Sequence, residues 1–288
     1  MRLIFPNSQL DLGVTRVMGI LNVTPDSFSD GGLFLSPGAA VERALQMAAE
    51  GADIIDVGGE STRPGAQAVS VTEELERVVP VIEAICRETP VPVSVDTSKP
   101  EVMQAAANAG AAMLNDVYAL TADAALATAA ELGLPVCLMH MQGKPGTMQD
   151  EPAYKDVINE VLEFLQTRAA SCIKSGIDPQ QIVIDPGFGF GKTLEHNLEL
   201  LAGLDRFAAT GFAVLAGLSR KSMIAKLMGA RGSGPESRVG GSVTLALYAA
   251  RKGAHIVRVH DVQQTVEALE IARALQAAER GSLPGQEK

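Results

Sequence analysis

The stretch VPVSVDTSKPEVMQAAANAGAAMLNDV, residues 91–117, contains the elements of one β–α–β unit in order. Residues 91–96 and 113–117 are short, largely apolar runs with polar side chains at their ends, and 100–109 is an Ala-rich segment between them. Strands that are apolar on both faces are typical of a parallel sheet that is buried on both sides. The stretch therefore predicts two parallel strands joined by a helix.

The same alternation continues along the whole chain. Helix-like segments at 38–50, 72–88, 100–109, 123–132, 154–175 and 262–278 separate the apolar runs. Eight β–α repeats in roughly 250 residues predict an α/β fold, the single-domain (β/α)8 TIM barrel. A doubly wound sheet is the alternative, but it normally has a glycine-rich turn after its first strand, where this chain has Asn22-Val23-Thr24-Pro25. The predicted strands are 17–22, 53–58, 91–96, 113–117, 136–140, 182–185, 213–219 and 256–260.

The chain divides into three regions by this pattern. Residues 1–16 precede the first repeat and are expected to form an N-terminal extension, a hairpin over the bottom of the barrel. Residues 17–280 are expected to form the barrel, and 281–288 a flexible C-terminal tail. No break in composition marks a second domain.

The composition excludes several classes of protein. Of the 288 residues, 47% are hydrophobic, which is ample for a buried core and argues against global disorder. The net charge of −10 would repel a phosphate backbone, so nucleic acid is not an expected partner. Cys86, Cys137 and Cys172 lie in apolar segments without a CxxC motif and are predicted to be reduced core residues. With no leader-like start and no apolar run of about 18 residues, we expect a cytoplasmic protein without a membrane span.

Polar side chains accumulate at the carboxyl ends of the predicted strands, where a (β/α)8 barrel places its active site. A helix cap or a loop hydrogen bond would explain any one of them, but not their recurrence at seven strand ends. We therefore predict a shared site at the barrel mouth. The second strand also continues into a polar segment, residues 60–64. The strand-end residues are Asn22, Asp96, Asn115, His140, Asp185, Ser219, Arg258 and His260.

The glycine-rich stretch DPGFGFGKT, residues 185–193, ends like a phosphate-binding loop but does not match one. The Walker pattern requires glycine where Pro186 stands, and proline has no N–H to offer a phosphate. Lys192 occupies the last glycine position of G-x-G-x-x-G. We interpret the glycines as allowing the loop to pass close to a flat ligand beside Asp185, with a plain tight turn as the alternative.

Two groups of residues near the carboxyl end suggest an anion site. Ser219 is predicted to cap a helix, where Arg220 and Lys221 would add positive charge to the free N–H groups, although capping alone would also explain Ser219. Arg258 and His260 alternate on the last strand and are expected to point into the same mouth. This cluster would suit a phosphate or a diphosphate.

Asp96, Asn115 and Asp185 offer hydrogen-bond acceptors together with one amide that both donates and accepts. Such a set recognises a planar heterocycle with N–H and C=O edges better than a sugar or an aliphatic acid. The mouth is therefore predicted to hold a polar heterocycle, with anions nearer the rim.

Several segments resemble the signatures of the dihydropteroate synthase family of pterin-binding barrels. The first, MGILNVTPDSFSDGG at 18–32, is highly specific, and the second is GADIIDVGGESTRP at 51–64. The similarity runs from about residue 14 to 278 in the expected order. The further matching stretches are SVDT at 94–97, LND at 114–116, LMHM at 138–141, DPGFGFGK at 185–192 and RVHD at 258–261.

The resemblance implies a transferase of folate biosynthesis that is a target of sulfonamides. Its two small-molecule substrates would be 6-hydroxymethyl-7,8-dihydropterin diphosphate and p-aminobenzoate, and its products 7,8-dihydropteroate and diphosphate. The displacement at the pterin methylene would be dissociative, so the demands are positioning and charge stabilisation and not an activated nucleophile. The resemblance also implies Mg²⁺ as the cofactor and a homodimer formed through helices late in the barrel.

The resemblance also implies roles for individual residues. The catalytic residues would be Asp96, Lys221 and Arg63. Pterin would be bound by Asp96, Asn115, Asp185 and Lys221. Diphosphate would be bound by Asn22, Thr62, Arg63, Arg258 and His260, with Asn22 as the ligand of Mg²⁺. The p-aminobenzoate site would be formed by Ser219, Phe28, Pro64 and Phe190.

Two other interpretations share the pterin motifs. A methyltetrahydrofolate-dependent methyltransferase would use the same pterin acceptors but would not need Arg258, His260 or a Mg²⁺ site for diphosphate. A non-catalytic pterin-binding paralogue would not need the intact segments at 22–32 and 62–64. Release of diphosphate with and without p-aminobenzoate separates these alternatives.

Overall fold

The computed structural model describes residues 1–24, 37–61, 68–143, 146–232, 234 and 236–281. Four of the predicted site residues, Phe28, Thr62, Arg63 and Pro64, lie outside these residues, as does the segment 282–288 of the predicted tail.

Eight parallel strands close into a barrel, which confirms the predicted fold class. β10 pairs with β9 on one side and with β3 on the other, so the sheet has no open edge and is not the doubly wound alternative. Each predicted strand is present, most of them shorter by one to three residues. The barrel strands are β3 (Arg16–Asn22), β4 (Ile54–Gly58), β5 (Val93–Asp96), β6 (Met113–Asp116), β7 (Val136–Met139), β8 (Ile182–Asp185), β9 (Ala213–Ala216) and β10 (Ile256–Val259).

Helices follow the strands and cover the outside of the barrel. The six predicted segments are helical with small shifts at their ends: α1 (Pro37–Ala49), α2 (Val71–Glu88), α3 (Pro100–Asn108), α4 (Ala125–Leu132), α5 (Val157–Lys174) and α10 (Val262–Glu279). Three more helices occupy stretches that were not singled out by their sequence pattern: α6 (Leu194–Ala202), α7 (Leu204–Ala208) and α9 (Val239–Arg251). The helix expected after Ser219 is present as α8 (Ser222–Met228). In the described part of the chain, no helix has the length and apolarity needed to cross a bilayer.

The inward face of several strands changes from apolar to polar towards the carboxyl end. Near the amino ends of the strands, the inward side chains are apolar and buried, and together they form the floor of the barrel. Because strand side chains alternate with a period of two, the next inward residue lies two positions further on. At those positions stand Asp56, Asn115, Asp185 and Arg258. The floor side chains are Met18, Ile54, Met113, Cys137, Val183, Ala213, Leu215 and Ile256.

An antiparallel hairpin of β1 (Arg2–Phe5) and β2 (Ser8–Asp11) lies at the amino-terminal end of the barrel. Leu3, Phe5 and Leu12 are buried against the floor side chains and close the barrel below. The barrel therefore opens only at the end where the strands carry polar side chains, as far as the described residues extend.

Candidate active site

Arg258 lies at the centre of an ion-pair network that connects three strands. Its Nε donates to Asp56 Oδ2 at 2.6 Å, and a terminal nitrogen donates to Asp96 Oδ2 at 2.8 Å. Burial lowers the pKa of the guanidinium, but the two carboxylates outweigh this effect and raise it above its ordinary value. Asp56 was not among the predicted site residues, because an aspartate inside the apolar run of residues 54–58 gives no local sign of its partner 202 positions away.

Asn115 is held by the same carboxylate. Its Nδ2 donates to Asp56 Oδ2 at 3.0 Å, and the side chain is buried. One of the two donors of the amide is therefore used inside the protein. This narrows the sequence interpretation, in which the amide both donated to the ligand and accepted from it.

Asp96 ends β5 and faces the mouth. Burial raises the pKa of its carboxyl to about 7, with Arg258 acting in the opposite direction and Asp56 adding to the rise. Its ability to accept hydrogen bonds therefore changes in the neutral pH range.

Asp185 ends β8 and begins the glycine-rich loop. Its Oδ1 accepts the backbone N–H of Gly187 at 2.8 Å, and burial raises the pKa of the carboxyl. Gly187 has φ of +70°, and a Cβ at this position would overlap the carbonyl oxygen of His140. The glycine is therefore required by both the turn and the close approach of two backbones, and the turn fixes the orientation of the Asp185 carboxylate.

Lys192 locks this loop from inside the protein. Its Nζ donates to the carbonyl oxygens of Phe190 at 2.9 Å, Gly187 at 3.0 Å and His140 at 3.3 Å. It also lies 3.0 Å from Nδ1 of His140, whose pKa is lowered to about 3 by burial and by the lysine. Lys192 therefore organises the loop, and His140 is a buried neutral partner and not a group that faces the mouth.

Lys221 and Phe190 meet above this loop. Lys221 Nζ lies 4.1 Å from the centroid of the Phe190 ring, within the range of a cation–π contact. Burial lowers the pKa of Lys221 to about 8, with the Asp185 carboxylate acting in the opposite direction. The lysine and the aromatic ring therefore form one wall of the mouth.

The predicted cap at Ser219 is wrong. The helix begins at Ser222 after Lys221, and β9 already ends at Ala216. Ser219 instead accepts the backbone N–H of His260 at 3.1 Å and lies 3.0 Å from His260 Nδ1. The side chain therefore joins the loop after β9 to the end of β10, a contact that local sequence does not reveal.

The predicted anion site at Arg220 and Lys221 is also wrong in part. Arg220 has φ of +56°, which turns it out of the helix, and its guanidinium makes two bonds to Asp261, at 2.5 and 3.2 Å. Only Lys221 of the pair faces the mouth, and α8 is too short to act as a strong helix dipole.

A second, partly buried group of ion pairs is formed by Lys99 with Glu60 and Glu74, close in the chain to residue 61. Lys99 donates to Glu60 at 2.5 Å and to Glu74, which is completely buried on α2. Glu60 also accepts the backbone N–H of Val69 at 3.1 Å. Sequence reasoning missed these ion pairs, because Glu60 and Glu74 lie 39 and 25 positions before Lys99 in the chain.

Asn22 ends β3 beside other oxygen atoms that could surround a metal ion. Among the described residues, no cluster of three or more His, Cys, Asp or Glu could hold a metal alone. A Cβ placed on Gly58 would lie 3.8 Å from Asn22 Oδ1 and 3.7 Å from an Asp96 oxygen, so oxygen atoms flank this strand end. Mg²⁺ commonly takes one or two protein oxygens and completes its shell with phosphate and water. Asn22 fits such a site as a single protein ligand.

A closed parallel barrel with carboxylates, an amide, a lysine and an arginine around its mouth defines a (β/α)8-barrel enzyme that binds a polar small molecule. Residues 18–260 match the family model described as pterin binding enzyme. A dihydropteroate synthase of Escherichia coli K12 is 53% identical over 96% of this chain and 98% of that protein. The chain belongs to the dihydropteroate synthase family of pterin-binding enzymes.

Solved structures agree with this assignment. A Yersinia pestis dihydropteroate synthase in a sulfonamide drug complex is 49% identical and has a TM-score of 0.92, covering 96% of this chain and all of that chain. A Xanthomonas albilineans dihydropteroate synthase in complex with 7,8-dihydropteroate is 50% identical with a TM-score of 0.87, covering 96% of this chain and 99% of that chain. The chain is thus similar to complete members of the family over nearly its whole length.

Proposed function

We propose that the enzyme transfers the pterinylmethyl group of 6-hydroxymethyl-7,8-dihydropterin diphosphate to p-aminobenzoate, which gives 7,8-dihydropteroate and diphosphate in folate biosynthesis. The observation that carries this proposal is the acceptor set of Asn115 and Asp185 deep in the mouth, with Lys221 and Arg258 beside it. Acceptors suit the N–H edge of a pterin, and a lysine suits its carbonyl oxygen.

The site residues would stabilise the charges that develop during the reaction and would position the two substrates. As the C–O bond to diphosphate breaks, positive charge develops on the pterin methylene and is delocalised into the ring, while negative charge grows on the leaving group. Arg258 retains N–H groups beyond the two that bind Asp56 and Asp96, and with His260 it would stabilise the departing diphosphate. Asp96, Asn115, Asp185 and Lys221 would hold the pterin, and the neutral amine of p-aminobenzoate needs only correct placement.

The roles of the remaining predicted residues stay proposals. Asn22 would hold a Mg²⁺ ion, which when bound would neutralise diphosphate oxygens as a Lewis acid. Thr62 and Arg63 would contribute further diphosphate contacts, with Arg63 acting in catalysis beside Asp96 and Lys221. The p-aminobenzoate site would comprise Ser219, Phe28, Pro64 and Phe190. A sulfonamide is expected to compete there, since its sulfonyl group resembles a planar carboxylate.

The direct test is diphosphate release from the pterin substrate, measured with and without p-aminobenzoate and with and without Mg²⁺. We expect diphosphate to be released only when p-aminobenzoate and Mg²⁺ are both present. Asn22→Ala should need more Mg²⁺ than the wild type for the same rate of release. A methyltransferase or a non-catalytic binder would release no diphosphate under any of these conditions. Full activity in excess EDTA would contradict the Mg²⁺ assignment.

The pH dependence of pterin binding should follow Asp96. The ionised carboxylate accepts an N–H much more strongly than the protonated carboxyl does, and its pKa is raised to about 7 by burial. Below this pH a proton must leave before the ligand binds, so affinity should rise about tenfold from pH 6 to pH 8. Calorimetry with 6-hydroxymethylpterin, which has no diphosphate to titrate, measures this directly. Asp96→Asn should give weaker binding with a flat profile, and an unchanged slope in this variant would assign the titration to another group.

We infer that the enzyme is a homodimer. Ile271 and Leu275 are 63% and 62% exposed on one face of α10, and Tyr248 is exposed on the neighbouring α9. Large apolar side chains clustered on a surface commonly mark an interface between proteins.

The three unpaired cysteines are compatible with the cytoplasmic location that we also propose.

Replacing Ile271 and Leu275 together by Glu should convert the dimer to a monomer in light scattering, because charges would be buried in the interface. Ile173→Glu is a matched control, since Ile173 is 39% exposed on α5 and outside this face. A double variant that keeps the dimer mass would place the interface elsewhere.

A further inference from the structure

Asp56 is buried in the centre of the barrel, where its carboxylate accepts hydrogen bonds from Asn115 and Arg258. We propose that Asp56 is a specificity-determining positioning residue, which fixes the orientation of the Asn115 amide so that the site selects a 2-amino-4-oxo heterocycle over its 2,4-dioxo analogue. This inference rests on the proposed pterin site. In this inference Asp56 does not contact the ligand. It orients Asn115, which does.

The orientation of the amide follows from what Asp56 can do. A carboxylate accepts hydrogen bonds and has none to donate. Asp56 Oδ2 receives Nε of Arg258 at 2.6 Å and Nδ2 of Asn115 at 3.0 Å. If the amide turned over, the Asn115 oxygen would face this carboxylate oxygen and the hydrogen bond would become a repulsion. The bond from Arg258 Nε reinforces this, because it holds the same carboxylate oxygen in place as the acceptor.

The bond to Asp56 also determines which atom of the Asn115 amide is left for a ligand. Since the group is planar, a nitrogen turned towards Asp56 leaves Oδ1 of Asn115 turned away from it. Among the described residues, none donates a hydrogen bond to this oxygen. Asp185 adds a second acceptor, because only its Oδ1 is engaged by Gly187. A ring edge that meets both residues must therefore bring N–H groups, which a 2-amino group supplies and a 2-oxo group does not.

The burial of Asp56 supports a role beyond packing. Its side chain is fully buried, and no described residue donates to its Oδ1. Buried carboxylate oxygens without partners are rare and destabilising, so apolar packing alone does not explain a carboxylate at this position. A negative charge at this point is explained by what it imposes on Asn115 and Arg258.

The test compares 6-hydroxymethylpterin with 6-hydroxymethyllumazine, which differ in the 2-amino and 2-oxo groups. Calorimetry should show that the wild type prefers the pterin. In Asp56→Ala, the oxygen that accepts from Asn115 is gone, so the Asn115 amide can reverse and present its own NH₂ to the ligand. The ratio of pterin to lumazine affinity should then fall by about tenfold, the effect of one hydrogen bond.

Ser94→Ala is the matched control. Ser94 pairs with Asp56 in register on the adjacent strand, is equally buried and likewise has a side-chain oxygen that no described residue bonds. This variant should keep the wild-type ratio. Asn115→Ala should lower the ratio, and adding Asp56→Ala to it should change the ratio no further, because the effect of Asp56 passes through Asn115.

The outcomes separate this inference from the proposed function. A folded Asp56→Ala protein that binds both ligands more weakly by the same factor overturns the inference, since a structural role would act on both alike. If Asp56→Ala does not fold, Asp56→Ser removes the same carboxylate and carries the same expectation. The wild-type protein offers a measurement without any change at Asp56. The NMR signals of the Asn115 amide, identified by their absence in Asn115→Ala, should show one proton protected from exchange before any ligand is added. Fast exchange of both protons overturns the inference, whereas a wild type that binds neither ligand contradicts the pterin site itself.

Discussion

Asp185→Asn should reduce use of the pterin substrate about 30- to 1000-fold, with little change in melting temperature. The backbone N–H of Gly187 donates to Asp185 Oδ1 at 2.8 Å and would claim the single oxygen of the new amide. The NH₂ group would then face the N–H edge of the ligand, where the carboxylate accepts. A buried donor that loses its partner and meets another donor costs about 2–4 kcal/mol, which corresponds to this range.

Calorimetry of pterin diphosphate binding measures the effect directly. Asp205→Asn is the control, since Asp205 is exposed on α7 and pairs only with Lys252 at the surface. This control should bind as the wild type does. Affinity of Asp185→Asn within about threefold of the wild type would mean that the pterin edge is recognised by other residues.

Gly187→Ala should destabilise the protein by about 4 kcal/mol, as a positive φ and a steric overlap act together. The added Cβ would overlap the carbonyl oxygen of His140, which is backbone and cannot rotate away. Calorimetric melting should show a fall of about 10 °C. Pterin affinity should fall as well, because the turn that orients Asp185 would have to move.

Gly133→Ala separates the two causes. Gly133 has φ of +63°, close to the +70° of Gly187, but a Cβ there would meet nothing within 4 Å. This control should lose only about 1 kcal/mol, the cost of the backbone conformation, and keep its pterin affinity. Equal losses in the two variants would show that contact with His140 is unimportant.

The sequence predicted the barrel and the position of the site with good accuracy. The strands had short apolar runs, and Asp96, Asn115 and Asp185 could be placed at the mouth because all strands of a parallel barrel end on the same side. The similarity of residues 18–32 and 51–64 to a known family supplied the chemistry. Helices such as α9 were missed, because its residues Gly240 and Gly241 and its valines weaken the local helical pattern.

The errors share one physical cause. Ser219 was predicted to cap a helix, and it bonds instead to His260, 41 positions away. Arg220 was predicted to bind an anion, and it pairs instead with Asp261. In each case the side chain had a plausible local role, and a residue directly after β10 provided a better partner.

By itself, therefore, the sequence determined the strands of the barrel and the end at which their polar side chains collect, since strand period and strand direction are local properties. Only the tertiary structure decided which of these residues bind one another and which remain available to a ligand. Arg258 pairs with residues 202 and 162 positions earlier, and Lys192 binds the carbonyl oxygens of two separate loops. Such contacts depend on closure of the barrel, which brings β10 to the side of β3 and gives buried charges their partners.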